Sequence, residues 1–233
     1  MSGQREADPT RMSGGQQQRV AIAGMLAMNP EILVLDEPTA MLDPQGRADI
    51  MHILDELQQH GTTIILVTHH RDEFVNADRI IRLDNGRIVQ SARGNTASIP
   101  EMDESGTAQE DNPIAKSNIA NGASKPTSAV PIIEIHNLIY QYPNSSKPVL
   151  DKLSITINEG ETVAITGHNG AGKTTLARLL CALEQPQSGS ITVNTIPVAR
   201  QRANGNMQPL KRADREKLRA TIGYVMQHPE RQL

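Results

Sequence analysis

One short stretch, GHNGAGKTT at residues 167–175, sets narrow limits on how this chain folds. It fits the pattern G-x-x-x-x-G-K-[ST] in full, and it lies between an apolar predicted strand, ETVAIT, and a predicted helix, TTLARLLCAL. Glycines let such a loop curl until its backbone amides point at phosphate oxygens, and the helix N-terminus adds its positive dipole. Lys173 is predicted to reach the β- and γ-phosphates of a nucleotide, and Thr174 to offer its hydroxyl to Mg²⁺. The alternative is a chance glycine-rich turn.

Apolar runs alternate with helical patterns before Ser91. Continuous apolar runs such as ILVLDEPT are typical of strands buried on both faces of a parallel sheet. In chain order, the pattern predicts a helix at 21–29, a strand at 32–39, a helix at 44–60, a strand at 62–70 and a hairpin at 79–89. Because strands alternate with helices, we expect an α/β fold with a largely parallel sheet.

The composition changes at residues 91–130, which are rich in Ser, Ala, Asn, Gly and Pro and contain no aromatic residue. Such a segment buries too little apolar surface to offset the entropy of ordering, so we predict a flexible linker. After it, the pattern predicts strands in IIEIHNL, LSITIN, ETVAIT and SGSITVN, helices at 174–183 and 210–219, and a polar surface loop at 195–210.

Charge and composition argue against several classes of function. A net charge of −3 gives no general attraction to nucleic acid or to an anionic membrane, and an aromatic share of 2% offers few rings for stacking on single strands. No apolar run reaches the roughly 18 residues that span a bilayer. The single cysteine, Cys181, forms no internal disulfide and suits a reducing compartment. We therefore expect a cytoplasmic protein without nucleic-acid partners or a membrane span.

Two carboxylates end the predicted strand ILVLDEP. Asp36, at the end of a buried strand, is a candidate to hold the water shell of Mg²⁺. Glu37 is the candidate to orient or deprotonate an attacking water. The alternative is a strand that ends in two solvated acidic residues.

The stretch MSGGQQQR at residues 12–19 predicts the start of a helix. Ser13 is a favourable N-cap, and Gly14 and Gly15 leave the first amides bare. Such a helix end binds anions, here the γ-phosphate of a nucleotide held by another domain. The alternative is an ordinary capped helix start.

Together these motifs resemble those of ATP-binding cassette (ABC) ATPases, which are P-loop NTPases with a RecA-like core. MSGGQ resembles the family's LSGGQ signature, with Met12 in place of Leu, and DEPTAMLD resembles its Walker B motif and D-loop. VTHH, GYVMQHPE and YQYPN resemble its switch-histidine, Q-loop and A-loop sequences. The resemblance covers nearly all of the chain outside the linker.

The resemblance implies ATP and Mg²⁺ as cofactors and assigns roles to individual residues. The implied catalytic residues are Glu37 and His69, the implied Mg²⁺ ligands are Thr174, Gln227 and Asp36, and Asp43 would lie at a domain contact. The residues implied to bind ATP are Tyr142, Gly167, His168, Asn169, Gly170, Ala171, Gly172, Lys173, Thr174, Thr175, Ser13, Gly14, Gly15 and Gln16. Tyr142 would stack on adenine, whereas Tyr140 is expected to face the core.

Two stretches are similar to one branch of the family, the ATPases of energy-coupling factor (ECF) transporters. QHPERQL is similar to their QNPDDQL-type Q-loop, and ADRIIRLDNGRIV to the ends of the same ATPases. Those transporters import vitamins and metal ions, and in some bacteria both ATPase domains lie on one chain. The resemblance implies a transmembrane coupling subunit and a substrate-binding membrane subunit as partners, at the cytoplasmic face of the cell membrane.

The order of the motifs departs from that of one cassette, in which the A-loop, Walker A and Q-loop come first. Here the signature, Walker B, D-loop and switch histidine come first, at 1–90, and the other motifs follow the linker, at 131–233. We therefore expect two incomplete half-cassettes, the back of one and the front of the next, from a tandem double ATPase. The alternative is a circularly permuted single cassette, against which stands the absence of a helical subdomain from both ends.

A tandem fragment would hold two half-sites. Asp36, Glu37 and His69 would serve a site whose phosphate loop is missing, while Lys173 and Ser13 would share the other. We then expect the isolated chain to bind ATP weakly and to hydrolyse little of it. Two further alternatives stay open. One is a chromosome-maintenance or DNA-repair ABC ATPase, although sustained heptads are absent; the other is a non-catalytic remnant that aggregates because its strands lack partners.

Overall fold

The computed structural model describes residues 13–93, 130–202 and 204–227. In the first segment, residues 13–93, the elements are α1 (Gly14–Ala27), β1 (Ile32–Asp36), α2 (Pro44–Gln59), β2 (Thr63–Val67), β3 (Arg79–Asp84) and β4 (Arg87–Arg93). In the second segment, which begins at residue 130, they are β5 (Pro131–Tyr140), β6 (Leu150–Asn158), β7 (Thr162–Thr166), α3 (Lys173–Leu180), β8 (Ser188–Val193), β9 (Ile196–Gln201), β10 (Met207–Gln208), α4 (Arg212–Thr221) and β11 (Ile222–Val225). Met12, most of the predicted linker (94–129) and residues 228–233 of QHPERQL lie outside the described residues.

Strands from the two segments alternate in one main sheet. Within the described residues it has six strands, in the order β11-β1-β2-β7-β3-β4. β7 of the second segment lies between β2 and β3 of the first and is parallel to both, with Val163 opposite Ile65 on β2 and Arg79 on β3. Only the β3–β4 pair of this described sheet is antiparallel. The prediction of a largely parallel α/β sheet is confirmed.

The two predicted half-cassettes are joined in one sheet in this chain. β1 and β2 pair with each other, and their outer edges pair with β11 and β7 of the second segment. An unpaired strand edge would leave backbone amides and carbonyls without hydrogen-bond partners. The second segment supplies those partners through β11 and β7. The joined sheet is what the permuted-cassette alternative requires, and the origin of the two halves from a tandem double ATPase stays a prediction.

β1 is buried along its whole length because it is covered on both faces. Its side chains alternate between the two faces. Leu33 and Leu35 pack with Ile22 of α1 in one apolar cluster. Ile32 and Val34 belong to the larger core, which includes α3 and the second sheet. This packing on both faces holds β1 in place, and with it the position of Asp36 at its carboxyl end.

The second sheet is antiparallel and has the order β10-β9-β8-β5-β6 within the described residues. The predicted polar loop at 195–210 is wrong, because this stretch contains β9 and β10. Ile196, Val198 and Ala199 of β9 are buried. The sequence gives a weak alternating pattern here because Pro197 separates the first two and polar residues follow.

The β3–β4 turn is a second contact point between the segments. Asn85 and Gly86 have φ values of 45° and 73°, as the predicted hairpin requires. A Cβ on Gly86 would lie 2.2 Å from the carbonyl oxygen of Val149, so only glycine fits. The Gly86 amide donates to the carbonyl of Ala171 at 3.2 Å, and the Gly86 carbonyl accepts from the Asp151 amide at 3.0 Å. The turn of the first segment therefore braces the glycine-rich loop of the second.

No helix in the part of the chain that the structure describes is long and apolar enough to cross a membrane.

Candidate functional site

The glycine-rich loop leads from the end of β7 into α3 and has the backbone that the motif predicts. Gly167, Gly170 and Gly172 have φ values of 144°, 85° and 103°, which residues with a side chain rarely adopt. A Cβ on Gly167 would also lie 2.3 Å from the carbonyl oxygen of Leu83 on β3. Among the described residues no side chain caps α3. The first amides of this helix therefore remain suited to an anion.

Lys173 closes over the loop to which it belongs. Its Nζ donates to the carbonyl oxygens of Gly167 at 2.8 Å and His168 at 3.1 Å. Burial lowers the pKa of Lys173, and the carboxylates of Glu37 and Asp36 act in the opposite direction. The ammonium group is thus placed where a phosphate could replace its two carbonyl partners.

The remaining residues of the loop are also placed by the structure. His168 Nε2 lies 2.8 Å from Asp84 Oδ1 on β3, which fixes the outer side of the loop to the first segment. Ala171 and Thr175 are buried, whereas Asn169 is exposed. Sequence reasoning did not single out Asp84, because its contact depends on β3 lying beside β7.

Asp36, at the end of β1, lies against the start of α3. Thr174 Oγ1 donates to Asp36 Oδ1 at 3.2 Å, and Tyr224 Oη donates to Oδ2 at 3.5 Å. Burial raises the pKa of Asp36, and the nearby charge of Glu37 raises it further. A hydroxyl and a carboxylate are the oxygen donors that Mg²⁺ takes in proteins, so Thr174 and Asp36 fit this cation. Tyr224 was missed because its role depends on β11 pairing with β1.

Replacing Asp36 with Asn is expected to stabilise the nucleotide-free chain at pH 7. Because the folded state holds the Asp36 proton more tightly than the unfolded state, stability falls as pH rises through the interval between the two pKa values. Asn removes the buried charge and keeps the shape. We expect the melting temperature to rise about 2–4 °C, which corresponds to about 1 kcal/mol at this size.

The matched control is the exposed Asp49→Asn, which should leave the melting temperature unchanged. The difference between Asp36→Asn and the parent chain should shrink at acidic pH, where Asp36 is neutral. A lower melting temperature for Asp36→Asn at pH 7 would contradict the stated cause.

Glu37 is the meeting point of three loops. Its Oε1 lies 3.2 Å from Nδ1 of His69, which follows β2, and its Oε2 accepts from Nε2 of Gln227, which follows β11, at 2.8 Å. Glu37 itself follows β1 and has a left-handed φ of 50°. Its amide donates to the carbonyl of Val67 at 2.9 Å. The structure therefore brings together three residues that lie far apart in sequence.

Parallel pairing explains why these residues lie at the same edge of the sheet as the phosphate loop. β1, β2 and β7 run in the same direction, so their carboxyl ends meet at one edge of the sheet. Asp36 lies 3.2 Å from Thr174 at the phosphate loop, and which nucleotide Asp36, Glu37 and His69 would serve stays a prediction. Asp36 and Glu37 lie close enough to Lys173 for their charges to act on it, and His69 contacts Glu37.

The start of α1 is a capped helix end, as predicted. Ser13 Oγ accepts from the Gln16 amide at 3.4 Å, and Gln16 Oε1 accepts from the Ser13 amide at 2.9 Å, which forms a capping box. Cβ atoms on Gly14 and Gly15 would lie 2.7 Å from Met41 Sδ and 2.9 Å from the Met41 carbonyl oxygen. The two glycines therefore allow this helix end to lie against the loop after β1. Whether Ser13 shares a nucleotide with Lys173 stays a prediction.

The two tyrosines before the glycine-rich loop differ in exposure. Tyr140 is 3% exposed and donates from Oη to Glu184, which confirms that it faces the core. Tyr142 is 37% exposed, and its Oη lies 3.1 Å from Thr175 Oγ1. Its ring meets that of Tyr140 edge-on, with centroids 5.0 Å apart. An exposed ring beside the loop is available for stacking.

Asp43 has a structural contact in this chain. Its side chain caps α2 by accepting from the Gly46 amide at 2.9 Å. The implied role at a contact between domains stays a prediction.

Comparison with known families agrees with this geometry. The model of the ABC transporter family matches residues 2–40 and 150–233, which is more than half of the chain and includes both the Asp36-Glu37 pair and the glycine-rich loop. The chain belongs to the ABC transporter family. Its mixed α/β fold, with a parallel sheet and a phosphate-binding loop, is consistent with the RecA-like core of ABC ATPases.

Several curated ABC proteins are similar to the chain over nearly its full length. An ABC transporter ATP-binding protein of Bifidobacterium longum is 48% identical over 256 aligned positions, which cover 98% of this chain and 32% of that protein. Proteins of the same description from Methanosarcina mazei and Enterococcus faecalis are 33% and 30% identical, and the chain covers 42% and 44% of their lengths. The chain thus spans between 32% and 44% of the length of these relatives.

Proposed function

We propose that the chain is part of an ATPase that binds Mg²⁺-ATP and hydrolyses it to power an ABC transporter. The observation that carries this proposal is the convergence of two groups of residues at one edge of the sheet. One group is Lys173 and Thr174, at the phosphate loop and the start of α3. The other is Asp36 and Glu37, at the end of β1, together with His69, which follows β2, the strand that pairs with both β1 and β7. The 3.2 Å contact between Thr174 and Asp36 joins the two groups.

Binding would use the loop, its helix and the exposed tyrosine. The amides of residues 167–172 and the ammonium of Lys173 would hold the phosphates, and the Tyr142 ring would stack on adenine. Thr174, Asp36 and Gln227 would hold Mg²⁺, which supplies positive charge to the phosphate oxygens. Mg²⁺ would also offset the cost of keeping Asp36 ionised in a buried place.

Hydrolysis would use Glu37 and His69. Glu37 would take a proton from water while the water oxygen attacks the γ-phosphorus and the bond between that phosphorus and the β–γ bridging oxygen breaks. The products are ADP and inorganic phosphate. His69, 3.2 Å from Glu37, would hydrogen-bond the γ-phosphate and keep the water in line.

The capped start of α1 would serve a nucleotide held by another cassette. Ser13, Gly14, Gly15 and Gln16 present the exposed or half-buried end of a helix, which suits a γ-phosphate. The partner is therefore a second ABC ATPase domain or subunit, with Asp43 near the contact.

We further propose that a longer protein contains this chain as the middle of a tandem double ATPase. Relatives that align with nearly all of it are more than twice as long, since the chain covers 32–44% of them. Residues 1–90 would then form the C-terminal part of the first cassette and residues 131–233 the N-terminal part of the second. Residues 91–130 would be the linker between them. By its ECF-like motifs, the whole protein would serve uptake of a vitamin or metal ion. It would lie at the cytoplasmic face of the membrane, with a coupling subunit and a substrate-binding subunit.

The proposal is tested first by binding. Lys173→Met should weaken the affinity of the chain for Mg²⁺-ATP about 10–100-fold, because it removes a charge-assisted hydrogen bond to phosphate. Isothermal titration calorimetry at fixed Mg²⁺ measures the change. The control Lys217→Met alters an exposed lysine on α4 and should bind like the parent chain. Equal affinities for all three proteins would contradict the proposed site.

A further inference from the structure

Glu73 is a buried carboxylate that contacts both loops of the proposed catalytic pair. It lies in a short 3₁₀ turn, Arg71–Glu73, after His69, and it is 2% exposed. Thr39 Oγ1, from the loop after β1, donates to Glu73 Oε1. Thr68 Oγ1, at the end of β2, donates to Glu73 Oε2 at 2.5 Å. One side chain thus joins the residue two places after Glu37 to the residue directly before His69.

Buried or half-buried partners surround the carboxylate of Glu73. Arg47 of α2 places its Nε 3.7 Å from Glu73 Oε1, and it also pairs with the exposed Asp72 at 3.4 Å. Thr39 and Thr68 are both buried. A buried carboxylate with two hydroxyl donors and a guanidinium is costly to disturb, because any loss leaves a charge without partners.

The loop that Thr39 anchors holds an unusual backbone. Glu37 has φ 50°, a left-handed conformation that is uncommon for a residue with a side chain. Such a conformation persists only where neighbouring contacts determine it. The Glu37 amide bonds to the Val67 carbonyl, and the Ala40 amide bonds to the Glu37 carbonyl at 3.2 Å. The Thr39–Glu73 bond fixes the other end of this turn to the loop of His69.

We propose that Glu73 is a positioning residue for ATP hydrolysis. It acts through Thr39 and Thr68, which hold the loops of Glu37 and His69 in their positions relative to each other. The effect on hydrolysis rests on the proposed function, whereas the link between the two loops does not. The hydroxyl bonds that Glu73 accepts come from Thr39 and Thr68, on the loops of the catalytic pair, so we expect it to set turnover rather than nucleotide affinity.

The experiment compares Glu73→Ala with Asp72→Ala, which removes the exposed neighbouring carboxylate. In Glu73→Ala, amides in peptides that cover residues 36–42 and 66–73 should exchange with deuterium about tenfold faster, while β7 amides keep the parent rate. ATP turnover should fall about 10–100-fold, and the dissociation constant for Mg²⁺-ATP should change less than about threefold. Asp72→Ala should match the parent chain in all three measurements.

Two further variants cover the case in which Glu73→Ala does not fold. Thr68→Val removes one hydroxyl at nearly constant shape and should loosen the same two peptides, and Glu73→Gln, which can still bond both threonines, should restore most of the turnover.

Unchanged exchange at both loops would overturn the proposal. Faster exchange throughout the chain, with affinity and turnover lost together, would also overturn it, because that marks a purely structural role. If the parent chain does not bind Mg²⁺-ATP, the proposed function fails, and the exchange comparison still decides whether Glu73 joins the two loops.

Discussion

Replacing Glu37 with Gln should reduce ATP turnover by the chain about 10²–10⁴-fold, the range that a general base contributes. Gln keeps the shape of the side chain, but its amide cannot accept a proton from the attacking water. The contacts of Lys173 and Thr174 are untouched, so affinity for Mg²⁺-ATP should stay within about threefold of the parent value. Phosphate release under saturating ATP measures turnover, and calorimetry measures affinity.

The control for this prediction is Glu56→Gln, an exposed glutamate on α2. It should hydrolyse ATP at the parent rate. The result also separates the two arrangements considered for the chain. Turnover that depends on Glu37 is expected if Glu37 and Lys173 serve one nucleotide, as their proximity in this chain would allow. A parent chain that binds ATP without hydrolysing it would instead favour separate cassettes that need their missing halves.

The sequence could identify the phosphate loop because everything that defines it is local. A strand, a glycine-rich turn, Lys173 and a helix follow one another without interruption, so neighbouring residues alone predict the backbone that the structure has. The helix cap at Ser13 could be predicted in the same way, because Ser13 and its capping partner Gln16 lie within one turn of helix. The buried strands β1 and β2 were predicted well for the same reason.

The sequence could not show which distant elements meet. Nothing in ETVAIT indicates that this strand lies between β2 and β3, yet this placement decides which residues share the site. Tyr224, Asp84 and Glu73 were missed because their partners lie on other strands or loops. β9 was missed because its few apolar positions are interrupted by proline and polar residues. Contacts that depend on strand order can be identified only once the fold is known.

The tandem proposal and the observed fold are compatible if the halves of two similar cassettes can replace one another. In a longer protein, β2 and β3 would pair with a strand equivalent to β7 from their own cassette. In this chain, β7 takes that place with a continuous parallel register on both sides. The same strand surfaces therefore serve either arrangement, and what distinguishes them is whether the first segment depends on the second.

Ala164→Arg on β7 should unfold both segments together. Ala164 is fully buried against Phe74, Ala77 and Ile80 of the first segment, so arginine there would bury an unpaired charge that costs several kcal/mol, a large part of about 5–15 kcal/mol of total stability. Deuterium exchange should show loss of protection in β1 and β2 as well as in β7. Thr156→Arg, at an exposed position on β6, should keep protection throughout. If β1 and β2 stayed protected in Ala164→Arg, the first segment would fold by itself and the joined sheet would be wrong.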